Sequence, residues 1–168
     1  MFRPAAATGR VLRTRRLTKT FGVMDPPTLN DWGEIDNNDL DAKWAFKQFF
    51  GKSFEQAVDL FESNALYYQE DLGSMPKSAF NFYAPAFASY LESERSAGDS
   101  DGASSFLHLL VWMLKTHPES FDAETAESLL KTADKIAQNQ RYYDADVDIY
   151  GRFPDLNNEI KKLAAKST

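Results

Sequence analysis

Apolar residues recur at spacings of three and four along the chain from about residue 39 onward, which is the periodicity of amphipathic helices. No segment of four to eight residues alternates as a strand would. The pattern therefore predicts an all-α, compact single-domain bundle of about six helices over residues 24–168. The clearest stripe follows Ser53, which forms a capping box with Gln56, and it comprises Phe54, Ala57, Val58, Phe61 and Ala65.

Polar and helix-breaking residues predict where the other helices begin and end. We expect a loop at 25–38, then a helix from Asp39 to Gly51 that precedes the Ser53 helix, and a loop at 66–73 after both. The next helix follows Pro76, and Pro85 should kink or split it. Its apolar face is an aromatic stripe that we expect to be core rather than a ligand groove, formed by Phe80, Tyr83, Phe87 and Tyr90.

The second half of the chain predicts three further helices. Residues 103–115 are strongly apolar, a helix capped by Ser120 or Asp122 comes next, and a short one opens at Asp155. We expect residues 140–153 to have irregular structure.

Composition limits the chemistry. The chain has no cysteine, which excludes disulfides and thiolate catalysis, and no Gly-rich phosphate loop, so we expect no cofactor. No apolar run is long enough to span a membrane. We expect a cytoplasmic protein.

Charge divides the chain at residue 23. The first 23 residues carry six bases and no acid, whereas residues 24–168 carry 13 bases and 25 acids, a net charge of −12. An acidic body repels nucleic-acid phosphates and suits a basic protein partner. We expect 1–23 to be a disordered basic arm or a mis-assigned start ahead of Met24; a transit peptide, or an arm that touches nucleic acid or a membrane, stays open.

Residues 64–72 read Asn-Ala-Leu-Tyr-Tyr-Gln-Glu-Asp-Leu, and residues 79–87 read Ala-Phe-Asn-Phe-Tyr-Ala-Pro-Ala-Phe. Together they resemble a loose group of small, uncharacterised bacterial cytosolic proteins with an Ala-Phe-x-x-Tyr-x-Pro-Ala-Phe helix preceded by a carboxylate-bearing loop. The resemblance implies a fold shared with that group and a bacterial origin, and it implies no established activity.

One candidate polar site combines two adjacent acids with aromatic and histidine side chains. Adjacent carboxylates near aromatics can act as an acid/base pair or hold a cation, if burial drives their pKa values apart. Acids in a loop more often face water. A histidine on a helix whose apolar periodicity already accounts for its neighbours is more often structural than catalytic. The candidates are Tyr67, Tyr68, Glu70, Asp71 and His108.

A second candidate has the alternating acids of a calcium loop. Ile149 stands where such a loop needs glycine, and aspartate at the twelfth position is a poorer bidentate ligand than glutamate. We therefore expect no metal there, and an acidic surface loop instead. Its acids are Asp144, Asp146, Asp148 and Asp155.

Two functions remain. The first is an interaction or immunity-type domain that binds a basic partner through its acidic body. The alternative is a small-ligand binder or hydrolase-like enzyme that uses Glu70 and Asp71 with nearby Tyr and His.

Overall fold

The computed structural model describes residues 24–166, and these residues form helices and connecting loops without a strand. The predicted all-α bundle is confirmed. In this described region six helices have ten or more residues and two are single turns, with three 3₁₀ turns among them. The helices are α1 (Leu29–Trp32), α2 (Leu40–Phe49), α3 (Phe54–Leu72), α4 (Lys77–Leu91), α5 (Ser100–Thr116), α6 (Ala123–Gln138), α7 (Val147–Tyr150) and α8 (Phe153–Lys166).

The predicted helix starts follow from side-chain caps. Asp39 accepts a hydrogen bond from the Ala42 amide at 2.9 Å and begins α2, and Asp122 accepts from the Thr125 amide at 2.7 Å and begins α6. The Ser53 capping box is present at the start of α3. Each cap satisfies an amide that the first helical turn leaves without a partner.

Three predicted loops contain helix. The 25–38 segment holds α1, capped by Thr28, and the 140–153 segment holds a 3₁₀ turn and α7. The largest difference is at 66–73, where α3 continues to Leu72. The loop prediction was wrong there because residues 69–71, although polar, have good intrinsic helix propensity at two of their three positions.

Pro85 does not split its helix, since α4 runs through it from Lys77 to Leu91. The proline removes the amide that would bond to the carbonyl oxygen of Asn81. A long contact of 3.5 Å brings the Thr125 hydroxyl of α6 to that oxygen. A neighbouring helix thus partly replaces the missing donor.

The core lies between α3, α4 and α5, and it is rich in aromatic rings. The aromatic stripe of α4 is buried, as predicted, and Phe87 stacks on Phe61 of α3 with ring centroids 4.5 Å apart. The Tyr83 hydroxyl donates to the carbonyl of Phe49 or that of Lys52, at 2.7 and 3.0 Å. These contacts fix the end of α2 against α4, so α2 lies at a defined position beside α3.

The basic arm predicted at 1–23 lies outside the described residues. Within residues 24–166, no helix combines the length and the apolar character that crossing a bilayer requires.

Candidate functional site

A kink divides α3 just before the candidate polar residues. Asn64 has φ −165° and ψ 84°, which is extended backbone inside a helix. Its side-chain oxygen accepts a hydrogen bond from the Tyr67 amide at 3.1 Å. Asn64 therefore acts as an N-cap for the second half of α3, residues 65–72, and sets the direction of that half separately from the first.

A cavity of about 200 Å³ lies between this second half of α3 and α2. We call it the acidic pocket. Three carboxylates and no basic side chain line it. Its lining residues are Asp41, Trp44, Tyr67, Glu70, Asp71 and Ser74.

Asp71 is the buried carboxylate of the acidic pocket. Its exposed fraction is 7%, and its Oδ2 atom is buried with no hydrogen-bond partner. Burial raises the pKa of Asp71 to about 6, and the negative charges of Glu70 and Asp41 add to the effect. Near neutral pH the fold thus holds a largely desolvated negative charge between two others.

The pocket carboxylates differ from many other acids of the described region in having no ion-pair partner. Elsewhere Glu92 pairs with Lys135 and Asp134 with Lys161, whereas no Lys or Arg of residues 24–166 forms an ion pair with Asp41, Glu70 or Asp71. The nearby bases of α2 contact other groups, described below. The pocket is consequently a local concentration of uncompensated negative charge.

Two aromatic side chains form one wall of the pocket. Trp44 and Tyr67 are 43% and 41% exposed, and the Trp44 indole N–H donates to the Tyr67 hydroxyl at 2.7 Å. Gln48 donates to the same oxygen at 3.2 Å. This bonding across α2 and α3 holds both rings in place although both are accessible to solvent.

The Trp44 ring already contacts a cation. The ammonium nitrogen of Lys47 lies 4.7 Å from the ring centroid, within the range of a cation–π interaction. Lys47 does not line the pocket, and Lys43 donates to the backbone carbonyl of Asn37 instead. Both lysines of α2 are therefore directed to partners other than the pocket carboxylates.

The turn after α3 is held by a close contact with α5. A Cβ atom placed on Gly73 would lie 2.8 Å from Cζ3 of Trp112. The Trp112 ring thus lies directly against Gly73, the residue before Ser74. The Ser74 amide in turn donates to the Asp71 carbonyl at 3.1 Å, so this turn has little freedom to move.

The pocket brings together three of the five predicted polar residues. Tyr67, Glu70 and Asp71 line it. Tyr68 faces the core instead, where its ring meets Phe49 edge-on at 6.0 Å. His108 is exposed on α5 and does not line the pocket.

The expectation that the two acids face water is correct for Glu70, which is exposed, and wrong for Asp71. Asp71 is buried because α3 continues through it and turns it toward α2. Sequence analysis missed Asp41, Trp44 and Ser74. Asp41 and Trp44 lie three apart on α2, a spacing that places them on one helix face and was available as a signal.

The four acids of the calcium-like segment take separate structural positions. Asp144 ends a 3₁₀ turn in a left-handed conformation, Asp146 caps α7 and Asp155 lies in the first turn of α8. Asp148 is exposed on α7. Throughout residues 24–166, no three His, Cys, Asp or Glu side chains are grouped so that they could hold a metal ion.

Comparison of the chain with protein-family models, with curated proteins and with solved structures gave no match.

Proposed function

We propose that this protein is a partner-binding domain of the interaction or immunity type, and that it binds a basic protein at the acidic pocket. The observation that carries the proposal is the Asp71 carboxylate, buried without a partner in a cavity that has two more carboxylates and no cation. An uncompensated buried charge destabilises a fold. A cationic group from a partner would offset that cost on binding.

The charge of the whole body supports the same partner. Residues 24–168 carry a net charge of −12. A field of this sign accelerates the approach of a basic protein and disfavours acidic competitors. We place the interaction in the bacterial cytoplasm, in keeping with the absence of cysteine and with the resemblance described above.

The hydrolase-like alternative has less support. General acid–base catalysis needs a base within hydrogen-bond reach of the acid or of a shared substrate. His108 does not line the pocket, and neither does any other histidine of the described residues. Three carboxylates with no cation among them favour the binding of a cationic group over a catalytic arrangement that depends on histidine.

The proposal predicts pocket-dependent binding of basic peptides. We would measure fluorescence anisotropy of labelled peptides rich in Lys or Arg, and of an acidic peptide of equal length, with the full chain at physiological salt. The double substitution Asp41→Asn/Glu70→Gln should weaken basic-peptide binding about tenfold, equivalent to about 1.4 kcal/mol. The acidic peptide should not bind.

A charge-matched variant distinguishes binding at the pocket from attraction of the peptide by the net charge of the protein. Glu34→Gln/Asp148→Asn changes the net charge equally at two exposed residues outside the pocket, and it should change affinity less than about twofold because these charges do not line the binding site and salt screens charges at a distance. Equal losses in the two double variants would contradict a pocket-centred interaction.

A further inference from the structure

The geometry points to a lysine side chain as the group that enters the acidic pocket: we infer that its ammonium nitrogen binds at Asp71, between Asp41 and Glu70, while its methylene stem lies along Trp44 and Tyr67. This inference rests on the proposed function and specifies the chemistry that the pocket recognises. The five residues that it names all line the same cavity.

The first argument is the kind of acceptor that the pocket offers. Asp71 presents a single buried oxygen without a donor, and the Ser74 hydroxyl lies in the same cavity. An ammonium group is a compact charge with three donors that point in different directions. It can donate to Asp71 and turn its remaining donors toward Ser74 and toward the charges at the rim. A guanidinium group gains most where two coplanar acceptors meet its paired N–H groups, and one free oxygen does not offer that arrangement.

The second argument is the size and wall of the cavity. About 200 Å³ is below the range of pockets that hold drug-sized ligands, and it suits one extended side chain. The aromatic wall of Trp44 and Tyr67 offers apolar surface for a methylene stem, as lysine stems commonly use. Within this chain the Lys47 side chain already lies against the Trp44 ring, with its ammonium nitrogen 4.7 Å from the ring centroid, so this ring accepts a lysine side chain.

The third argument is against a metal ion. In the described part of the chain the acids are not grouped as metal ligands, and this includes the pocket carboxylates. A divalent ion needs several oxygens at short, fixed distances. An ammonium group on a flexible stem tolerates longer and less regular spacing, because its charge acts over distance and its donors rotate.

The test uses the full chain labelled with ¹⁵N and follows the side-chain N–H signals of its three tryptophans. Trp44 reports on the pocket, while Trp32 does not line it and serves as the internal reference. The probes are a short basic peptide with one central lysine, its ε-acetylated form, the same peptide with arginine in that place, and n-butylamine.

We expect the lysine peptide to shift the Trp44 signal. The ε-acetylated and arginine peptides should bind at least about tenfold more weakly, because the first lacks the charge and the second lacks the required shape. Asp71→Asn should weaken the lysine peptide by about tenfold, and Glu34→Gln should leave it within about twofold. A circular-dichroism spectrum of Asp71→Asn checks that the variant is folded; the acetylated peptide tests the same point with the natural chain.

The outcomes distinguish this inference from the proposed function. Equal binding of lysine and arginine peptides, lost in Asp41→Asn/Glu70→Gln, would overturn the lysine assignment and leave the basic partner in place. Binding of n-butylamine as tight as that of the peptide would assign the pocket to a small amine and overturn a protein lysine. Absence of binding by every probe would overturn both proposals.

Discussion

At the scale of single residues, Asp71 connects the stability of the fold with the binding that we propose. Its carboxylate is buried without a hydrogen-bond partner at Oδ2, and burial with the nearby Glu70 and Asp41 charges raises its pKa to about 6. A group held in this way destabilises the unbound protein whenever it is ionised. Functional sites commonly retain such groups, because the same charge that weakens the fold strengthens the complex.

Replacement of Asp71 by asparagine should therefore stabilise the unbound protein at neutral pH. The folded-state pKa lies above the ordinary value of 3.8, so folding takes up a proton between these values and the natural chain loses stability as pH rises through about 6. Asp71→Asn should gain about 1 kcal/mol at pH 7, reduced from the full shift because solvent screens part of the charge, and almost nothing at pH 4.

Urea unfolding at both pH values measures this difference, with Glu34→Gln as an exposed control that should change stability by less than about 0.5 kcal/mol. A loss of stability for Asp71→Asn at pH 7 would show that its carboxylate has a stabilising partner.

At the scale of elements, the kink in α3 positions the pocket. Asn64 leaves the helical conformation and caps residues 65–72 through the Tyr67 amide. The second half of α3 then brings Tyr67 within hydrogen-bond distance of Trp44 on α2. A straight helix would direct these side chains differently, so the cap contributes to the site as well as to the fold.

Removal of the Asn64 cap should affect both the stability of the fold and the geometry of the pocket. Asn64→Ala should lower the free energy of unfolding by about 1 kcal/mol, the usual cost of losing an N-cap, and should shift the Trp44 indole N–H signal because the contact with Tyr67 changes. Asn64→Asp retains a capping oxygen and should keep both properties near those of the natural chain. An unchanged Trp44 signal in Asn64→Ala would show that the kink does not position the pocket.

At the scale of the whole molecule, charge separates the first 23 residues from the rest. Their six bases oppose a body of net charge −12, and the chain as a whole carries −6. Deletion of these residues thus doubles the net negative charge that a basic partner meets. The change should increase the rate of association more than it changes the lifetime of the complex, because long-range charge acts mainly on encounter.

The sequence also predicts that residues 1–23 do not belong to the folded domain. Deletion should leave the melting temperature of the protein within about 2 °C, since a terminus without packed apolar groups contributes little to stability. Differential scanning calorimetry of the two chains measures the effect. A fall of several degrees would show that the arm packs on the domain.

The sequence by itself determined the helical class, the caps at Asp39 and Ser53, and the aromatic face of α4. It left the cap of α6 open between Ser120 and Asp122, and the structure assigns it to Asp122. These features depend on local chemistry: a side-chain oxygen reaches an amide three residues away, and apolar spacing selects a buried face. The helical state of residues 66–72 was less accessible, because a run of polar residues carries no apolar periodicity even where its propensity for helix is adequate.

Only the tertiary structure decided the chemistry of the site. Nothing in the order of residues distinguishes Asp71 from Glu70, yet one is buried and the other exposed, because the kink at Asn64 and the packing of α2 set which side of the helix is covered. Asp41 and Trp44 approach Tyr67 and Asp71 across 23 to 30 positions of chain for the same reason. Burial and charge neighbours depend on contacts between elements, and such contacts are set by the assembled bundle rather than by any local pattern.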